Sequence, residues 1–187
     1  AMLDTFLEKA LIPGLNRLGC EPVGVFTESE PKNGPAVHVL IPYPTIETFT
    51  SSTRLLFSDE AFLSAGKEYL ETPKSRPGFV RMDSWLLSAF KGQKKMTIPS
   101  YSKEKKDRFF ELRIYESYSE ERALKKVDMF NDGEIPVMHD VGLGPVFFGQ
   151  TLLGKDMPHL IYMLSGTDRN EYRKAWGGLA AILHGRN

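Results

Sequence analysis

The strongest constraint on this chain is that it repeats. Shifted by 123 residues against itself, the 187-residue sequence gives an ungapped match of eight identities over 64 positions. Ile12-Pro13 falls on Ile135-Pro136, Gly19 on Gly142 and Pro22-Val23 on Pro145-Val146. Lys32 falls on Lys155, Pro35 on Pro158 and Leu56 on Leu179. Four of the eight are Pro or Gly, the residues that fix or free backbone dihedrals. The apolar pattern travels with them, Val37, Val39 and Ile41 landing on Leu160, Tyr162 and Leu164. The chain therefore reads as a tandem duplication of one small unit.

The second copy is the more legible. Phe109 to Glu116 alternates, with Phe110, Leu112 and Ile114 on one face and Glu111, Arg113 and Tyr115 on the other. That spacing predicts a strand whose apolar face meets helices. Ser117-x-x-Glu120 offers a capping box, followed by Leu124, Val127, Phe130, Met138 and Val141 at helical spacing. Pro136 lies inside this helix and Pro13 at the matching place in the first copy, which predicts a shared kink or break. Val146–Gln150 and Leu160–Leu164 read as strands around a turn, and Asp168-x-x-Glu171 caps a second helix. The first copy follows suit: a helix over Leu3–Leu18, strands Val23–Thr27 and Val37–Ile41 around a Pro31–Pro35 turn, and helical stretches over 46–56 and 59–70. It closes on an alternating strand over 79–90. The expected class is α+β, two ferredoxin-like β-α-β-β-α-β repeats over residues 1–90 and 107–187. Residues 91–106, with six Lys, one Glu, Gly92 and Pro99, read as a solvated linker between them.

Composition narrows the partners. Lys plus Arg and Asp plus Glu are 24 each, so no global field gathers nucleic acid or anionic lipid. No apolar run approaches the roughly 20 residues of a membrane-spanning helix. Apolar residues make up 41%, enough for a packed core. Cys20 is alone, so neither an intramolecular disulfide nor a thiolate cage is possible, and its expected role is a small buried apolar residue.

Motifs with their own chemistry are scarce. Gly142-x-Gly144 follows a helix and precedes a strand, the reverse of a dinucleotide loop. None of His38, His139, His159 and His184 pairs at metal-ligand spacing, so no metal is expected. One constellation remains. The polar face of strand 109–116 carries Glu111, Arg113 and Tyr115, with Tyr162 and His159 on the neighbouring strand. Arg81, Asp83 and Trp85 show the same alternation in the first copy. Were two such sheets to face each other, these eight side chains would line the space between them. That space could hold a planar or acidic small molecule, or simply be filled by an ion-pair network.

Phe110-Glu-Leu-Arg-Ile-Tyr115, Gly144-Pro-Val-Phe-Phe-Gly149, Leu160-Ile-Tyr-Met-Leu164 and Trp176 together resemble the NIPSNAP domain over about 70 residues. The first copy resembles it more faintly, with Val23-Gly-Val-Phe26 at the equivalent strand. Where the family continues with Asp-Pro-x-Trp, this chain has Gly177-Gly178-Leu179. The resemblance implies a dimeric α/β barrel, in which two ferredoxin-like sheets pair, here within the chain or between two copies. That superfamily includes cofactor-free monooxygenases, haem enzymes and small stress proteins. NIPSNAP proteins themselves have no agreed catalysis, and eukaryotic members are linked to mitochondria and vesicle trafficking. Fold kinship does not transfer a reaction. Two expectations follow: a binding or interaction scaffold, or a cofactor-free monooxygenase- or isomerase-type enzyme using the barrel interior. Neither requires a resident cofactor.

Two full periods need 246 residues, 59 more than the chain has. The missing parts map to a strand ahead of Ala1 and another beyond Asn187. The expectation is a protein extending past both ends, with any targeting signal in the N-terminal part. A cytoplasmic and an exported location both stay open.

Overall fold

Pro13 dictates the course of the first helix. A proline ring clashes with the carbonyl four residues back and offers no N–H to bond it. In the computed structural model, which describes residues 2–31 and 34–185, the chain meets this by widening one turn. Helix α1 (Met2–Phe6) passes into a π turn (Leu7–Leu11), where the Ile12 N–H donates to the Leu7 carbonyl, and continues as α2 (Ile12–Arg17). The helix ends on Gly19, at φ 76°, with Gly19 N donating to Asn16 O at 2.9 Å and Cys20 N to Leu15 O at 3.0 Å. This pair of bonds is a Schellman cap, and the positive φ is what asks for glycine.

Two units make up the chain, one ending at Met82 and one beginning at Asp83. In the first, β1 (Gly24–Thr27) and β2 (Val37–Leu40) form an antiparallel pair with Gly24 opposite Leu40. The turn expected between them includes Lys32 and Asn33, which lie outside the described residues. Helices α3 (Ile46–Leu56) and α4 (Glu60–Leu70) follow, N-capped by the Thr45 hydroxyl and the Asp59 carboxylate. Asp59 also takes hydrogen bonds from the Arg17 guanidinium. The core gathers Phe6, Leu7, Ala10, Leu15, Leu56 and Phe62 around a fully buried Cys20. Burial pushes that thiol's pKa up, away from the thiolate that nucleophilic work requires.

The second unit holds β3 (Leu86–Ala89), a short helix α5 (Ser100–Lys103), β4 (Phe109–Glu116), α6 (Glu120–Met129), a π turn (Phe130–Glu134), α7 (Ile135–Asp140), β5 (Phe147–Leu153), β6 (His159–Gly166) and α8 (Arg169–His184). Its antiparallel sheet runs β3-β5-β6-β4. Phe90, Phe130, Ile135, Met138, Phe148, Leu160, Tyr162, Leu164 and Leu179 form the core between sheet and helices.

Three expectations are corrected. The strand predicted over 79–90 is only Leu86–Ala89, and it pairs with β5 as an edge of the second unit's sheet. The lysine-rich stretch is tied to that unit rather than free: Thr97 N and the Gln93 side chain both donate to Val146 O at 2.8 Å, and Gly92 N donates to Asn131 Oδ1 at 2.9 Å. Helix α6 is capped by Ser119, whose hydroxyl accepts from Arg122 N, in place of the box expected at Ser117.

The two units share one backbone course 123 residues apart. The π turns at 7–11 and 130–134 coincide under that shift, as do α2 and α7. Gly142, at φ 81°, repeats Gly19, with Gly142 N donating to His139 O and Leu143 N to Met138 O. Register repeats too, since Gly24 opposite Leu40 becomes Phe147 opposite Met163. Thr45, the cap of α3, becomes Asp168, the cap of α8. The fold class is α+β, with one four-stranded and one two-stranded antiparallel sheet among the described residues. Among the described residues no helix is long and apolar enough to cross a membrane.

Candidate functional site

Strand β4 alternates as its sequence predicts, but its two faces point the opposite way. Glu111, Arg113 and Tyr115 lie on the helix-packed face, opposite Leu164, Tyr162 and Leu160 of β6, which belong to the core. Phe110, Leu112 and Ile114 take the other face, where Leu112 and Ile114 remain 39% and 45% exposed. The expectation that the apolar row meets the helices is therefore overturned. Arginine and tyrosine can bury long stems and rings while their heads find partners. The helices supply those partners. The Arg113 guanidinium lies 4.5 Å over the Trp176 ring and 5.6 Å from the Tyr115 ring, and Lys126 sits 5.2 Å over that same Tyr115 ring.

A continuous polar chain threads this side of the sheet. The Tyr162 hydroxyl donates to the Tyr115 hydroxyl at 3.0 Å, Arg113 Nη2 donates to the same oxygen at 3.3 Å, and Arg113 Nη1 donates to Glu111 Oε1. Tyr162 is fully buried, stacked on Phe148 and edge-on to Tyr115. Burial opposes the charge on Arg113, but the Glu111 carboxylate and the two phenols more than restore it, holding the guanidinium above its ordinary value. Burial, reinforced by Tyr115, pushes the Tyr162 phenol well up. At neutral pH Arg113 is a fixed cation and Tyr162 a neutral phenol, arranged to orient and bind; Tyr162 is not poised to release a proton.

The remaining predicted residues lie elsewhere. His159 is buried on the opposite face, across from Glu116. Its Nδ1 is 2.9 Å from the Asp156 carbonyl, which can only accept, so Nδ1 is the donor in this contact. Its Nε2 and the hydroxyl of nearby Thr151 are both buried without hydrogen-bond partners among the described residues. Asp83 and Trp85 precede β3 and meet the β5–β6 turn: Asp83 pairs with Lys155 at 2.8 Å, and Trp85 covers Gly154 so closely that a Cβ there would lie 2.3 Å from the indole. Arg81 lies in the first unit, in a segment without strand structure. The eight candidates therefore divide into separate groups, of which Glu111, Arg113, Tyr115 and Tyr162 are together.

Beside that group opens a cleft of about 240 Å³ lined by Glu111, Arg113, Arg169, Tyr172, Arg173 and Trp176. The last four stand at i, i+3, i+4 and i+7 along α8, one stripe of a helix turned toward β4. Sequence reasoning passed over Arg169 and Arg173, although that spacing marks them. Tyr172 is 7% exposed, and its hydroxyl finds no partner in hydrogen-bonding geometry among the described residues. Burial pushes its phenol up to about 12. No family model matches the chain, and no curated protein matches it either.

Proposed function

We propose that this protein is a NIPSNAP-like binding scaffold without chemistry of its own, built from two ferredoxin-like repeats whose sheets pair as an α/β barrel. The observation that carries the reading is the face of the second sheet turned away from its helices. It carries Phe110, Leu112 and Ile114 on β4, of which Leu112 and Ile114 are exposed, beside the buried Ile161 and Met163 on β6, where a barrel interior would lie. The guanidinium and phenols expected to do chemistry there are on the other side. An apolar sheet face suits burial against a second sheet rather than acid–base work. Two further features support the reading. Strands β4, β6 and β5 adjoin in first-third-second order, as in a ferredoxin-like sheet. Strand β3, the expected close of the first copy, pairs with the second copy's sheet, the strand sharing that closure of a barrel needs.

Solution scattering and sedimentation on the wild type and on the Leu112→Asp/Ile114→Asp double variant test this. Two charges on a paired face must separate the sheets. The mass halves if pairing joins two chains, and the radius of gyration grows at constant mass if it lies within one. A folded double variant with wild-type mass and radius would show that nothing pairs on this face.

A further inference from the structure

The cleft between β4 and α8 collects three guanidiniums and a single carboxylate. Glu111 answers Arg113. Arg169 and Arg173 make no salt bridge among the described residues, although Arg173 lies in the field of the Asp168 carboxylate: Arg169 lies 4.4 Å over the Phe109 ring, and Arg173 Nη1 donates to Asn170 Oδ1 at 3.0 Å. Two solvated arginines on a helix would be unremarkable alone. Here they flank Tyr172, more than nine-tenths buried, whose hydroxyl lies near Glu111 and Trp176 but in hydrogen-bonding geometry with no described residue, and Arg113, whose Nε is buried and without a partner among the described residues. Buried polar atoms are almost always bonded, so two donors without a well-formed bond at the wall of one cationic cleft suit a further acceptor there.

We propose that this cleft binds a small dianionic oxyanion, a phosphomonoester or a short dicarboxylate. Three positive charges and one negative leave two positive, matching a dianion. Guanidiniums recognise such groups through paired, charge-assisted hydrogen bonds. The Tyr172 hydroxyl, protonated at neutral pH, donates to the ligand rather than competing with it. The volume of about 240 Å³ lies below the roughly 300–1,000 Å³ of pockets for drug-sized molecules, so the anion is small. One Trp176 face is covered by Arg113, so that face offers no stacking platform to an aromatic acid. The site lies on the helix side of the sheet and stands whether or not the sheets pair.

Calorimetric titration of the full chain at constant ionic strength, with inorganic phosphate in one arm and malonate in the other, tests the proposal. Saturable one-to-one binding is expected in at least one arm, and which arm responds separates phosphoryl from carboxylate ligands. Arg169→Ala and Arg173→Ala each weaken it roughly 10- to 100-fold, the share of a charge-assisted bond. Tyr172→Phe weakens it severalfold while melting no lower than wild type, because it removes an unsatisfied hydroxyl and keeps the ring. Lys125→Ala, an exposed charge on α6, stays within about twofold of wild type. The proposal is overturned by no binding above chloride in either arm, by a Lys125→Ala loss equal to that of Arg173→Ala, or by a Tyr172→Phe affinity equal to wild type.

Discussion

The hairpins β1–β2 and β5–β6 have the same register, 123 residues apart, and opposite fates. At one pair of matched positions Phe148 and Tyr162 are buried in the core, while Val25 and Val39 are 39% and 37% exposed. The second hairpin has β3 and β4 on its two edges and helices on its face; the first stands as a two-stranded sheet. Two-stranded sheets are marginal by themselves. Identical backbone pairing thus says little about how much a strand contributes to stability, because that depends on what covers it.

The matched positions offer the largest contrast. Phe148→Ala should cost about 3–5 kcal/mol, the usual toll of emptying a buried aromatic site. Val25→Ala, removing a half-exposed side chain, should cost about 1 kcal/mol or less. Chemical denaturation of both variants measures the difference. Similar losses at the two sites would mean that β1–β2 is covered in solution as fully as β5–β6.

The same repeat also contains positions where the copies should behave alike. Gly19 and Gly142 both hold a left-handed φ, and neither has more than one neighbouring atom within 4 Å of where a Cβ would stand. Alanine at either site therefore meets backbone strain rather than a clash, about 1–2 kcal/mol in each case. Melting or denaturant curves of the two variants should nearly coincide. A gap beyond about 1 kcal/mol would show that the Schellman caps are equivalent in outline only.

These pairs show why part of the molecule was legible in its sequence. Pro13, Pro136, Gly19 and Gly142 act on the backbone they belong to, so their effect could be read locally, although the widened π turn before each proline was not foreseen. The strands of both hairpins and the Asp168 cap came from local signals as well. The faces of β4 did not. Both rows of that strand contain enough carbon to be buried, and the choice between them lies far along the chain on α8, where Trp176 receives the Arg113 guanidinium and Tyr172 helps to close the cleft. Alternation gives two faces but not which one the helices take. The position of β3 was hidden for a similar reason: its four residues carry no mark of which copy they will pair with.

The smallest predicted effect separates the caps at Thr45 and Asp168. The Asp168 carboxylate accepts from Glu171 N and Asn170 N, and these bonds, with help from Lys174 and Arg173, hold its pKa below the ordinary range. A depressed folded pKa contributes stability above the ordinary aspartate value of about 3.9, and that contribution fades as pH falls through the lower folded value. Thr45 caps α3 with a hydroxyl that does not titrate, though Glu47 in the first turn is also held low by its own N–H and by Thr45. Asp168→Thr gives α8 the cap of α3. At pH 7 the variant should be slightly less stable than wild type, by less than either glycine variant. As pH drops below about 4 the wild type loses the charge that distinguishes it, and the gap should close. Urea denaturation of both proteins at pH 7 and pH 3 decides the matter. A gap of equal size at the two pH values would mean that the Asp168 cap works through its shape alone, and that the charge the second copy has at this position, and the first lacks, does nothing for the helix it begins.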